Sequence, residues 1–150
     1  TTLHTNDCPS TVPRLFDMGI PPFLLSSALL VILAQRLGRR ICKDCRQPID
    51  GKEEDLIAYG HVPQGLADVT FYRGKGCPTC NFTGMRGRVA IYEVMPVSET
   101  LRDMILKSAS TAELREQAQR DGMKTLRQAG LMKVLEGTTT VEEVLRVTLS

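Results

Sequence analysis

The chain of 150 residues is 42% hydrophobic, enough apolar material for one compact core or a core with a small satellite, which excludes intrinsic disorder. Its 19 basic and 17 acidic residues leave a formal net charge of +2, so the overall balance gives no reason to expect a nucleic acid or an anionic membrane as partner. The longest apolar run, residues 28–34, falls far short of the roughly 18 residues of a membrane span, and there is neither a basic start nor a signal cleavage site, so a soluble, cytoplasmic chain is expected.

Residues 1–7 read as the end of a strand breaking into a polar loop, with His4 at the strand end. Residues 10–18 predict a short helix, with Ser10 as N-cap, Pro13 in the first turn and Gly19 as the left-handed residue beyond its end. A second helix is expected from near Pro22 to about Leu37, through Phe23, Leu24, Leu25, Leu29, Leu30, Ile32 and Leu33; apolar over most of its surface, it reads as core. Residues 41–88 change to Cys, Gly, Pro and isolated charges, with a short helical piece near 53–59 and a strand at 69–72, and have no apolar core of their own. Residues 89–95 are β-rich and closed by Pro96. Short helices follow. Their starts are marked by Ser98 and by the capping boxes Ser110 with Glu113 and Thr140 with Glu143. Apolar residues recur at helical spacing in Leu101, Met104, Ile105 and in Val141, Val144, Leu145, and Gly137 stops the third of these helices.

Five cysteines without a secretory signal point to reduced thiols. Four form two Cys-x-x-Cys pairs, Cys42/Cys45 and Cys77/Cys80, with 31 residues between them. Two thiolates three positions apart converge on one ion, and two such turns close a tetrahedron with no position open for substrate, the arrangement of structural zinc. The segment between the pairs is poor in apolar residues, and metal binding would supply the free energy to order it. Arg39, Arg40, Lys43, Arg46, Arg73 and Lys75 stand near the ligands, where they offset the charge of four thiolates around a divalent ion. A redox pair should open a helix after a strand in a βαβ pattern, which neither pair does. Four cysteines alone do not fix the metal, so an iron–sulfur centre stays open. Cys8, left over beside Pro9, reads as a small semi-buried residue with no reactive role. His61 falls in a linker and is expected to face solvent.

Phosphate chemistry ordinarily needs a Gly-x-x-x-x-Gly-Lys-[Ser/Thr] loop. None occurs: Gly51-Lys52 and Gly74-Lys75 lack the upstream glycine and the following hydroxyl. A chain that starts inside a strand-loop motif therefore reads as the tail of something longer.

Several motifs in order then carry a resemblance. Leu3-His4-Thr5-Asn6-Asp7, the run Arg14 to Ile20 with Pro22-Phe23-Leu24, Ala34-Gln35-Arg36-Leu37, Gly76-Cys77-Pro78-Thr79-Cys80 and Gly87-Arg88-Val89-Ala90-Ile91-Tyr92-Glu93 together resemble the C-terminal part of the GspE/PilB secretion-ATPase family. The resemblance implies an α/β fold: the end of a RecA-like P-loop ATPase core (1–40), an inserted tetracysteine zinc element (41–88), and a strand with a C-terminal helical subdomain (89–150). It implies a hexameric motor that binds ATP with Mg²⁺ at subunit boundaries and works on inner-membrane secretion or pilus platform proteins, with no span and no nucleic acid. His4 would contact the γ-phosphate, and Cys42, Cys45, Cys77 and Cys80 would hold Zn²⁺. Cys8 departs from the family's Ala, and the phosphate loop, Asp box and Walker B carboxylates are missing from these residues, so the chain alone is not expected to hydrolyse ATP. A second reading is a freestanding zinc module that docks a protein or nucleic acid through residues 39–46. Nucleic acid would call for interleaved aromatics or a basic recognition helix, and neither appears with 5% aromatics. Secretion, pilus extension and DNA uptake remain open as the parent's task.

Overall fold

Prolines and glycines punctuate the first two elements. Pro13 lies in the first turn of α1 (Thr11–Asp17), where its missing N–H breaks no helical bond, and Gly19, at φ 85°, turns the chain out of the helix. The computed structural model describes Leu3, residues 5–49 and residues 70–149. Ser10 stands at the N-cap as expected, but its hydroxyl makes no cap bond; it donates to the Asp7 carbonyl at 3.0 Å. In α2 (Pro22–Ala28), Pro22 occupies the first turn.

The second helix does not run on to Leu37. It stops at Ala28, Leu29 is extended at φ −75°, ψ 125°, and the chain continues as β1 (Val31–Ile41). Ile32, Ala34, Gly38 and Ile41 are buried while Val31, Leu33 and Leu37 are exposed, a period near two that no helix could satisfy. The expected all-round core helix is thus a short helix followed by a long strand.

A hairpin follows: β2 (Arg46–Ile49) pairs antiparallel with β3 (Phe71–Gly74), Arg46 opposite Gly74 and Ile49 opposite Phe71. β3 carries the later part of the strand expected at 69–72; residue 69 and the helical piece expected near 53–59 lie outside the described residues. After a 3₁₀ turn (Pro78–Cys80) comes β4 (Met85–Pro96), longer than residues 89–95 and ended by Pro96. β4 pairs with β1. The Val97 amide donates to the Leu30 carbonyl at one end and the Cys42 amide to the Gly84 carbonyl at the other, both at 2.9 Å, so the two strands run in opposite directions.

Four short helices complete the chain: α3 (Glu99–Leu106), α4 (Thr111–Arg120), α5 (Leu126–Leu135) and α6 (Val141–Thr148). Ser98, Ser110 and Thr140 each accept an amide N–H of the first turn, and Ser110 with Glu113 closes a reciprocal capping box. Each such cap contributes about 1 kcal/mol.

The chain divides into two compact units, residues 1–34 with 92–125 and residues 35–91 with 126–150. The first buries Cys8, Val12, Ile32, Met95, Leu101, Ile105 and Leu114. The second buries Ile41, Phe71, Ile91, Leu131, Val134 and Val144; at roughly 1.5–3 kcal/mol per fully buried aliphatic side chain, such sets supply each core's main stabilisation. No helix among the described residues is long and apolar enough to cross a membrane.

Candidate metal centre

The second unit brings the two cysteine pairs together by ordinary backbone means. Cys42 follows directly on β1, and Cys45 immediately precedes β2. The hairpin returns the chain to the same spot, where the Lys75 amide donates to the Cys45 carbonyl at 3.0 Å. Gly76 then turns at φ 95°, with the Phe82 carbonyl only 2.8 Å from where a Cβ would stand. Cys77 opens the 3₁₀ turn that ends at Cys80, and Asn81 and Phe82 reverse it at φ 51° and 61°. Gly74 and Gly84 meet backbone to backbone: a Cβ on Gly74 would lie 1.9 Å from the Gly84 carbonyl oxygen, so only glycine fits there.

The four Sγ atoms lie within 4.8 Å of one another. Cys42 to Cys77 is 3.8 Å, Cys45 to Cys80 is 3.9 Å and Cys77 to Cys80 is 3.7 Å. A tetrahedral ion with metal–sulfur bonds of about 2.3 Å sets its sulfurs about 3.8 Å apart. All four cysteines are free thiols, and these separations are far beyond the roughly 2.05 Å of a disulfide. The quartet therefore fits one tetrahedral thiophilic ion such as zinc, and its compactness favours a single ion over a multi-iron cluster.

Backbone amides face the sulfurs. Gly76 N–H donates to Cys45 Sγ at 3.3 Å, and the Cys77 and Gly84 amides both donate to Cys80 Sγ at 3.2 Å. Burial works against the Cys80 thiolate, yet those two amides bring its pKa down to about 6. Cys45 moves the other way, up to about 12, because burial and the neighbouring thiols penalise its anion. A divalent ion removes this competition, since metal binding displaces the protons.

The basic residues near the ligands divide differently from the expectation. The Arg46 guanidinium lies 4.1 Å over the Tyr72 ring and donates to the Gly137 carbonyl at 3.2 Å, fastening the hairpin to the end of α5. Arg39 is held by Glu143, a carboxylate only 2% exposed at the position that the sequence spacing marks as half of a capping box. Thr140 does accept the Glu143 amide, but the Glu143 side chain accepts from the Arg39 amide at 2.8 Å, from both side-chain ends of Arg39 and from Arg146. Arg146 foremost, then Arg39, hold its pKa down to about 2 against the penalty of burial. The Thr140-x-x-Glu143 spacing was the available signal, and it does not distinguish a capping glutamate from a buried anchor.

His4 and His61 lie outside the described residues. Cys8 belongs to the first unit, apart from the quartet. It is fully buried, its thiol directed at the carbonyls of Ile32 (3.4 Å) and Glu93 (3.3 Å), and burial with the Glu93 charge pushes its pKa up to about 12. Cys8 is thus more deeply buried than the semi-buried position expected for it.

Residues 1–146 match the family model described as "Type II/IV secretion system protein". The chain is 51% identical over 144 residues to the type IV pilus assembly ATPase PilB of Myxococcus xanthus, covering 95% of this chain and 25% of that protein. It is 43% identical over 148 residues to the PilB of Thermus thermophilus, 99% of this chain and 17% of that one. It is 46% identical over 147 residues to the type II secretion system protein E of Aeromonas hydrophila, with 98% and 29% covered. The chain thus spans 17% to 29% of the length of these curated relatives.

Proposed function

The chain belongs to the type II/IV secretion system protein family, and from that premise we propose that it is the C-terminal segment of a hexameric motor ATPase that couples ATP hydrolysis to type IV pilus assembly or type II protein secretion. In this reading the first residues end a RecA-like core, and ATP with Mg²⁺ is held by parts of the parent that carry the glycine-rich loop and the acidic boxes. His4 contacts the γ-phosphate, and the ring works in the cytoplasm against inner-membrane platform proteins. Cys42, Cys45, Cys77 and Cys80 hold one structural Zn²⁺. The ion neutralises part of the thiolate charge and ties the two turns together, leaving no position for substrate.

The observation that carries the reading is the sulfur quartet at tetrahedral spacing in a chain that matches the family over residues 1–146. Metal analysis of the reduced chain is the direct test of the site: one equivalent of zinc per chain is expected, and iron, or no metal with an unchanged fold, refutes it. The motor reading is tested by turnover. The 150-residue chain has no glycine-rich phosphate loop in its sequence and is expected to show no ATP hydrolysis, whereas the longer parent hydrolyses ATP; turnover by the purified chain alone would overturn this.

A further inference from the structure

Beside the first cysteine turn, in the second unit, lies a cleft of about 340 Å³ whose walls carry, among the described residues, Arg40, Lys43, Arg86 and Arg88 and one carboxylate, Asp44. All four cations are exposed. Arg40 and Lys43 flank Ile41 and Cys42, at the end of β1 and the start of the turn, while Arg86 and Arg88 flank Gly87, which bends β4 at φ 79°.

These four charges have no partner among the described residues. None makes a hydrogen bond or ion pair among the described residues, whereas Arg39, Arg46, Arg102, Arg115, Arg120 and Arg146 are all engaged. Nor do they serve the thiolates directly, because the sulfurs take their hydrogen bonds from the backbone amides of Gly76, Cys77 and Gly84. Being exposed, the four cations repel one another only weakly through water. Gathered on one concave surface, they present a positive potential that an anionic partner complements.

We propose that this cleft is a docking site for an acidic segment of a partner protein, whose carboxylates pair with the guanidinium groups of Arg40, Arg86 and Arg88. Guanidinium forks match carboxylates bidentately, and a concave site admits one or two side chains from a peptide. A single-stranded nucleic acid needs aromatic platforms for its bases, and no aromatic residue among the described ones lines the cleft. A concave lining suits carboxylates presented singly on a peptide better than the plane of a membrane surface. The proposal concerns the surface beside the metal turn and stands independently of the ATP chemistry.

The test uses the zinc-loaded 150-residue chain and fluorescein-labelled octaglutamate, followed by anisotropy at about 0.15 M salt. Binding is expected, weakened at least about tenfold by R86E/R88E. Lys107→Glu with Lys124→Glu, which makes the same change in net charge at exposed positions of the other unit, is expected to leave it within about twofold. Zinc content and circular dichroism are checked in each variant. If R86E/R88E does not fold, Arg40→Gln with Lys43→Gln is used and is expected to weaken binding in the same direction. Equal weakening by the Lys107 and Lys124 changes, no binding of octaglutamate, or stronger binding of oligothymidylate or of phosphatidylglycerol vesicles would overturn the proposal.

Discussion

Glu143 illustrates how one buried carboxylate can anchor a helix to a strand. It is 2% exposed, while its partners Arg39 and Arg146 are 56% and 57% exposed, so part of each ion pair is screened by water and the net contribution is on the order of 1–3 kcal/mol. Its folded pKa of about 2 lies below the ordinary 4.5. The stabilisation is therefore complete above about 4.5 and is lost as pH falls from there toward 2. Urea unfolding as a function of pH is expected to show this acid-side loss, and Glu143→Gln to lower stability at neutral pH while flattening the slope between those values. An unchanged slope would remove Glu143 from the account. Gly130 makes the complementary case for packing. A Cβ there would stand 2.5 Å from Val144 Cγ1 and 3.4 Å from Ile91 Cδ1, and Val144 is fully buried with a stiff, β-branched side chain. Alanine would add up to about 1 kcal/mol of helix propensity, but overpacking costs roughly 1–3 kcal/mol. Gly130→Ala is thus expected to lower the Tm, and Val144→Ala in the same chain to recover part of the loss. A rise in Tm for Gly130→Ala alone would show that the contact yields freely.

At the scale of elements, the tetracysteine turns are held by backbone geometry and few apolar contacts. The β2 residues are exposed along their whole length and Phe71 is the one buried residue of β3, so the metal is expected to carry much of this element's order. Cys77→Ser should abolish metal binding and speed amide exchange in residues 42–49 and 71–86, leaving α3 and α4 protected as before. Equal exchange in both variants would mean that the hairpin holds itself. The cysteine quartet was legible because Cys-x-x-Cys spacing dictates its own geometry, and the starts of α3, α4 and α6 were legible because Ser98, Ser110 and Thr140 act within one turn of chain. β1 was not. Its open face carries Val31, Leu33 and Leu37 and its covered face Ile32 and Ala34, so both faces are apolar and the alternation that marks a strand disappears from the sequence. Leucine-rich composition then favoured a helix that Leu29 breaks in fact. Glu143 and Arg46 were missed because their partners are distant in sequence, Arg39 by 104 positions and Gly137 by 91.

Across the whole molecule, the segment that follows His4 is fastened at several points of the first unit. The Cys8 amide donates to the buried Glu93 carboxylate at 2.6 Å, Arg115 on α4 pairs with Asp7 at 2.5 Å, and the hydroxyls of Thr5 and Thr11 meet at 2.8 Å. A loop tied in this way to β4, α4 and α1 is expected to pass on a displacement at its start. In the proposed parent motor, a neutral imidazole at position 4 donates one hydrogen bond to a phosphate oxygen or the attacking water, and the anchored loop passes that contact to the elements behind it. His4→Ala in the longer protein is accordingly expected to reduce kcat for ATP on the order of 10–1,000-fold, the scale of losing one oriented donor, while zinc content and hexamer assembly stay as they were. The opposing account makes His4 a brace for the loop, in which case its removal lowers the unfolding temperature and leaves turnover per folded enzyme nearly unchanged. Measuring kcat and thermal unfolding on the same variant separates the two, because a normal kcat in a less stable protein would defeat the sensing role and a depressed kcat at unchanged stability would defeat the brace.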